Sequence, residues 1–348
     1  MWQSTFLRLL TLGLFGCGPS FPPAWLIEPE PLDARGTIDP DGKLRVLALT
    51  VDPPQAPPLA RVSVSSLVVT HPRFGQVVLQ GGQPVHTLTP RGLSLLYRAC
   101  VVPDSATVLQ PCGLSADRSA PSTLAWDLPV RADGSTELVI PGSQPTPSTL
   151  LVTLIAADEA YPGGATACAQ AAAQQDGLSP IPNHCVIAVK RILVSHDAIP
   201  NQNPQLGRLW LGSAPESLSD LESGEARYPK LPAELADADR PSWQVVIERA
   251  ADSEQMEPDP LDRSRQRPEL LSASVFVTSG TLESGRGSFG DLDCPSESCQ
   301  QRLTTTFSWQ PAAARAAIEA PEDRTYFAVI LRDDRGGASF RVGEAKAR

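Results

Sequence analysis

Short runs of apolar and β-branched residues, separated by proline and glycine, dominate this chain. The 348 residues include 35 prolines and 25 glycines, which mark frequent turns. The runs at 43–51 and 61–70 alternate apolar and polar residues, as a strand with one buried face does. Similar runs occupy 93–102, 136–140, 150–156, 185–195, 206–211, 243–249, 270–278, 303–309, 326–331 and 338–342. The pattern predicts an all-β fold, with one helix at 165–175.

The predicted strands can be arranged as two similar halves. Each half has a strand next to a proline break, then central apolar strands and a closing strand pair. We therefore expect two tandem immunoglobulin-like β-sandwiches, at 43–197 and 198–345. The first would carry a disulfide-closed helical excursion at 165–185. The second would carry long loops at 213–241 and 251–268, the latter charged and exposed. One larger mixed β domain is the alternative.

The first 16 residues have the layout of a secretory signal peptide. An apolar stretch at 6–15 surrounds Arg8 and ends before Cys17. It is shorter than the roughly 20 apolar residues that span a bilayer. Leu14-Phe15-Gly16-Cys17 resembles the lipobox of bacterial lipoproteins, although that motif usually has a small or β-branched residue in place of Phe15. The resemblance implies cleavage before Cys17, lipidation of Cys17 and a proline-rich tether at 17–42. An ordinary cleaved signal is the alternative.

The remaining cysteines form an even set. Export would place them in an oxidising compartment, where such cysteines form disulfides. Six cysteines allow 15 connectivities, and we favour nearest neighbours along the chain. A structural zinc site would need four ligands, and the spacing of the four histidines (His71, His86, His184 and His196) does not complete one. The predicted bridges are Cys100–Cys112, Cys168–Cys185 and Cys294–Cys299.

The charge of the chain limits its partners. The formal net charge is −10, and no basic cluster is present. Binding of nucleic acid through phosphate neutralisation is therefore not expected. Attraction to anionic lipid by charge is not expected either. Contact with the membrane would come through the N-terminal lipid.

Motifs of the second half resemble the closing unit of bacterial immunoglobulin-like domains. They are LLSASVFVTSG at 270–280, Ser308-Trp309-Gln310-Pro311 and FAVILRDDRGGASF at 327–340. Residues 45–49 before Pro53-Pro54 and the Asn201-x-Asn203-Pro204 step complete a layout similar to uncharacterised myxobacterial lipoproteins. This resemblance covers most of the mature chain. It implies a fold and a location, and it implies no activity.

Two residue groups match catalytic or binding motifs by their letters. Gly285-x-Gly287-x-x-Gly290 has the spacing of a dinucleotide fingerprint, but Pro295 and acidic residues follow where a helix is required. Ser195-His196-Asp197 contains the residue types of a catalytic triad, which only geometry can define. We interpret both groups as structural.

Acidic and aromatic residues of the chain could also form binding sites. Asp291, Asp293 and Glu297 are interpreted as a solvated acidic loop rather than calcium ligands. The pair Asp333-Asp334 is interpreted as turn chemistry. The tryptophans at 126, 210, 243 and 309 are expected in the core rather than on a sugar-binding face. We therefore expect no metal, no cofactor and no catalytic site.

Two functional hypotheses follow. The first is a lipid-anchored protein of the cell envelope, most simply in the outer membrane, that acts as a binding or scaffold module. Its partner would be an envelope protein or a glycan, contacted through loops on a rigid scaffold. The alternative is a secreted hydrolase without a recognisable motif.

Overall fold

The structure is a computed structural model that describes most of the chain after residue 43. Cys17, Cys294 and Cys299 lie outside the described residues, as do Asp291, Asp293 and Glu297. Among the described residues, no helix is long and apolar enough to cross a membrane. The described residues are 44–69, 76–80, 83–87, 92–102, 111–114, 125–174, 184–197, 200–232, 234–253, 256–258, 266–290, 302–312 and 324–348.

The all-β prediction is confirmed. The strands up to residue 194 are β1 (Arg45–Asp52), β2 (Gln55–Ala56), β3 (Arg61–Val69), β4 (Gln76–Gln80), β5 (Gln83–Thr87), β6 (Ser94–Val101), β7 (Trp126–Leu128), β8 (Thr136–Val139), β9 (Ser148–Ala157) and β10 (Cys185–Val194). The expected helix is α1 (Gly164–Gln174), between β9 and β10.

The residues after 205 also form mainly strands. They are β11 (Leu206–Gly212), β12 (Ser219–Asp220), β13 (Arg227–Tyr228), β14 (Trp243–Arg249), β15 (Met256–Pro258), β16 (Gln266–Pro268), β17 (Ser272–Val277), β18 (Thr281–Leu282), β19 (Arg286–Ser288), β20 (Thr304–Gln310), β21 (Arg324–Arg332) and β22 (Ala338–Ala347). Short 3₁₀ helices lie at Pro215–Ser217 and Asp237–Asp239.

Four larger sheets organise these strands. Sheet A has the order β2-β10-β9-β6-β7 and sheet B the order β1-β3-β8. Sheet C has the order β13-β22-β21-β17-β19 and sheet D the order β12-β11-β14-β20-β18. Sheets A and B come from residues before 195, which we call the first half, and sheets C and D come from the second half. In each half a two-residue strand pairs in parallel with the last strand, and the other pairs are antiparallel. This is a sandwich arrangement.

The sheets stack in the order A, B, C, D. One apolar core lies between A and B, and another lies between C and D. In the second core Trp309 packs edge-on against Tyr228 and Phe327, with ring centroids 5.1 and 5.0 Å apart. A third apolar cluster joins sheet B to sheet C and contains Leu47, Ala48, Leu67, Val69, Phe276, Tyr326, Ala328 and Ile330.

The inner position of sheets B and C corrects part of the sequence analysis. Alternation at 43–51 predicted one buried face, whereas β1 is buried at every position except its two ends. A strand in an inner layer packs against a sheet on either side. The expected long loop at 213–241 contains β12 and β13 and contributes Leu221 and Tyr228 to the core. The charged stretch at 251–268 contains the paired strands β15 and β16.

Candidate functional site

Part of the outer face of sheet A, which points away from sheet B, is apolar and covered. Side chains alternate between the two faces of a strand, and β9 and β10 are apolar on both. On the outer face, Ile155 and Ile187 pack against helix α1. Leu151 and Val189 pack beside residues 111–114. Helix α1 and residues 111–114 therefore form an outer layer on sheet A.

Each part of this outer layer is joined to the sheet by a disulfide. Cys100 of β6 is bonded to Cys112, with their Cα atoms 5.5 Å apart. Cys168 of α1 is bonded to Cys185 of β10, with a Cα separation of 5.9 Å. The backbone N–H of Cys112 also donates to the Thr153 hydroxyl on β9 at 2.8 Å. These are two of the three nearest-neighbour bridges expected from the cysteine spacing.

An aspartate precedes the helical excursion and a histidine follows it, and the two side chains meet. His184 Nδ1 lies 2.9 Å from Asp158 Oδ2. The Asp158 side chain is 10% exposed and that of His184 is 46% exposed, so a nearly buried carboxylate orients an imidazole at the surface. The other Asp158 oxygen accepts from the Ala160 N–H at 2.9 Å. Sequence reasoning missed this pair, because its only signal was the position of the two residues at either end of the excursion.

The start of α1 is held by strand β6. The Ser94 hydroxyl accepts from the Ala165 N–H at 3.0 Å, so a residue distant in sequence caps the helix. These contacts hold α1 against sheet A and orient His184 through Asp158. It offers a single imidazole, and the described residues contain no group of three His, Cys, Asp or Glu side chains that could hold a metal ion.

The Ser195-His196-Asp197 sequence does not form a triad. Ser195 Oγ donates directly to Asp197 Oδ2 at 3.0 Å, whereas a triad places the imidazole between hydroxyl and carboxylate. His196 is exposed and Ser195 is buried. The Gln55 amide donates to both Ser195 Oγ and Asp197 Oδ2. These side chains hold the end of β10 and have a structural role.

The glycine motif also has a structural role. Residues 286–288 form edge strand β19, which pairs with β17. A Cβ atom at Gly287 would lie 3.0 Å from the Phe307 ring, so the glycine allows close packing of β19 on β20. A strand in the middle of the motif differs from the turn and helix start that a dinucleotide site needs.

The tryptophans occupy different environments. Trp309 is fully buried, as expected. Trp126 and Trp243 are partly buried against the cores of their halves. Trp210 is also partly buried, and it pairs with Val246 across β11 and β14 on the outer face of sheet D. The four residues therefore form no common face, and the sugar-binding interpretation has no support.

Two buried groups have perturbed pKa values. Burial in the core between sheets A and B raises the pKa of Tyr97 to about 12. Its hydroxyl donates to the Gly134 carbonyl and also bonds the Ser66 hydroxyl, both at 2.9 Å. Burial also raises the pKa of Asp333 above its ordinary value, against the opposing effect of hydrogen bonds from Gly337 and Arg335 backbone N–H groups. Both groups lie within the scaffold and away from the outer layer on sheet A.

Comparisons with known proteins do not identify the chain. No family model matches it, and no curated protein matches it. Among solved structures, dimeric latent PorU from Porphyromonas gingivalis aligns at 10% sequence identity and a TM-score of 0.20. The alignment covers 89% of this chain and 24% of the PorU chain. At that TM-score the likeness carries no argument about fold or function.

Proposed function

We propose that this protein is an exported, lipid-anchored component of the cell envelope that acts as a binding or scaffold module. One observation carries the proposal: two disulfides hold an outer layer on sheet A. Disulfides form and persist in oxidising compartments, which supports export through the signal at 1–16. The lipobox-like sequence ending at Cys17 then supplies the anchor, which would be stable with more than one acyl chain.

The outer layer is the proposed recognition surface. Loops and short elements on a rigid scaffold carry recognition in many proteins. Helix α1 is packed and disulfide-bonded on one side, and it presents Thr166 and Gln170 to solvent on the other. The surface also carries the oriented imidazole of His184. The partner would be an envelope protein or a glycan.

Metabolic labelling tests the anchor. A fatty acid analogue should be incorporated into the wild-type full chain and lost in Cys17→Ser. Cys100→Ala/Cys112→Ala is the matched control, because it removes two other cysteines and leaves the lipobox intact. Labelling that persists in Cys17→Ser would refute lipidation at this residue.

Site-specific photo-cross-linking tests the recognition surface. A photoreactive amino acid at Gln170 of α1 should give a defined adduct with an envelope protein or glycan in intact cells. The same group at exposed Thr306, on sheet D, is the control. The adduct should disappear when Cys168 and Cys185 are both replaced by Ala. Equal adducts at Gln170 and Thr306, or none at Gln170, would contradict the proposed surface.

A further inference from the structure

The segment between the two halves is bonded to both. The Asn203 amide group donates to the Val51 carbonyl at 2.7 Å, at the end of β1 in the first half. Its Oδ1 accepts from the Ala338 N–H at 2.8 Å, at the start of β22 in the second half. The Asn201 N–H donates to Gln55 Oε1 at 3.0 Å. Asn201 and Asn203 are both buried, so the described residues 200–205 are held against both halves and are not a free tether.

The turn between β21 and β22 packs against the same segment. Asp333 Oδ1 accepts from the N–H groups of Arg335 and Gly337, at 2.9 and 2.7 Å, which closes the turn. Asp333 Oδ2 accepts from the Asn201 amide at 3.3 Å. A Cβ atom at Gly337 would overlap Asp333 Oδ2 and lie 3.0 Å from the Gln202 carbonyl oxygen, so both the turn and its contact with Gln202 fit closely only with glycine here.

Arg335 extends from this turn to the first half. One guanidinium nitrogen donates to Glu269 Oε1 in the second half at 3.0 Å, and that side chain is 1% exposed. The other donates to Gln55 Oε1 in the first half, also at 3.0 Å. Gln55 in turn bonds Ser195 and Asp197 at the end of β10. One arginine thus connects the second half to the last strand of the first half through Gln55.

The polar contact and the apolar contact between the halves are separate. The apolar cluster involves Leu47 and Ala48 near the start of β1. The polar contacts lie at the end of β1, at Val51, and beyond it, at Gln55. Attachment at two separated points restrains rotation of one half against the other.

We propose that the turn 333–337 is an intramolecular latch that fixes the two halves as one rigid unit. The Arg335 side chain, which comes from the second half, keeps the β2–β10 edge of the first half closed by bonding Gln55. This inference goes beyond the proposed function and does not depend on export or lipidation. It makes local opening at Gln55 of the first half sensitive to Arg335, a residue 280 positions later in the chain.

Hydrogen–deuterium exchange on the full chain tests the latch. The reporters are the Leu193 and Ser195 amides, which donate to the Pro54 and Ala56 carbonyls in the first half. Arg335→Ala should speed exchange of a 190–197 peptide by about tenfold, from the loss of charge-assisted hydrogen bonds at a buried site. Unchanged exchange in β9 would show that the variant remains folded.

Arg341→Ala is the matched control, because Arg341 bonds the Gly207 carbonyl and Glu222 within the second half. It should leave the 190–197 peptide at the wild-type rate. A second variant repeats the test without removing a charge. Gly337→Ala, whose Cβ would overlap the Asp333 carboxylate and press on the Gln202 carbonyl, should reproduce the faster exchange. Exchange that increases only within 266–290 and 333–337 in the Arg335→Ala and Gly337→Ala variants would overturn the latch.

Discussion

Removal of the Cys168–Cys185 bridge should destabilise the protein by about 3 kcal/mol. The bridge joins residues 17 positions apart. Closing a loop of that length lowers the entropy of the unfolded chain, which raises the free energy of unfolding by about 3 kcal/mol at 25 °C. The double variant Cys168→Ala/Cys185→Ala removes the bridge without leaving a free thiol. With a urea slope of about 3 kcal/mol per molar, the unfolding midpoint should fall by about 1 M.

The matched comparison is Cys100→Ala/Cys112→Ala. That bridge spans 12 residues, so its loss should also cost about 3 kcal/mol. Only loss of the Cys168 bridge should loosen helix α1, because the Cys100–Cys112 bridge does not involve this helix. Circular dichroism during urea unfolding measures the first effect, and hydrogen exchange in 164–174 measures the second. An unchanged midpoint, or equal exchange of α1 in both double variants, would refute this account of the outer layer.

Three further predictions concern the interior. Tyr97→Phe should cost about 1 to 3 kcal/mol by leaving the Ser66 hydroxyl and the Gly134 carbonyl without their partner. Because the folded-state pKa of Tyr97 is raised to about 12, wild-type stability should also fall between pH 10 and 12, and this fall should be smaller in Tyr97→Phe unfolding curves. Ile330→Ala, in the cluster between sheets B and C, should cost about 2 to 5 kcal/mol in urea unfolding; a cost under 1 kcal/mol would mean that this contact is loose. Burial raises the folded-state pKa of Asp333 above its value in the unfolded chain. The contribution of Asp333 to the free energy of unfolding therefore becomes more favourable as the pH falls from the raised pKa to the unfolded-state pKa. Asp333→Asn lacks this gain and should lose more stability on acidification than the wild type. Equal slopes from pH 6 to 3 would contradict the burial effect.

Local features of the fold followed from the sequence. The runs at 150–156 and 185–195 became β9 and β10, and the helix window became α1. Nearest-neighbour pairing correctly predicted both disulfides that lie within the described residues. The Asp333-Asp334 turn also formed where expected, with Asp333 accepting from two backbone N–H groups. Each of these features depends on residues that are close in the chain.

The candidate site was only partly predictable. The cysteine spacing predicted a disulfide-closed excursion. It did not show that the elements held by Cys100–Cys112 and Cys168–Cys185 pack on the same face of one sheet. The Asp158–His184 pair carried no motif, because its geometry arises from strand pairing between β9 and β10. Short strands such as β2 and β13 were missed, since two residues give no periodicity.

The sequence by itself determined where most of the longer strands lie, which segment is helical and which nearby cysteines can pair. Those properties depend on side-chain periodicity and turn residues within a few positions. Only the tertiary structure decided that sheet B packs on sheet C and that Arg335 bonds Gln55, a pair 280 residues apart. Apolar faces and polar side chains have many acceptable partners, and the choice among them is made by the packing of the whole chain.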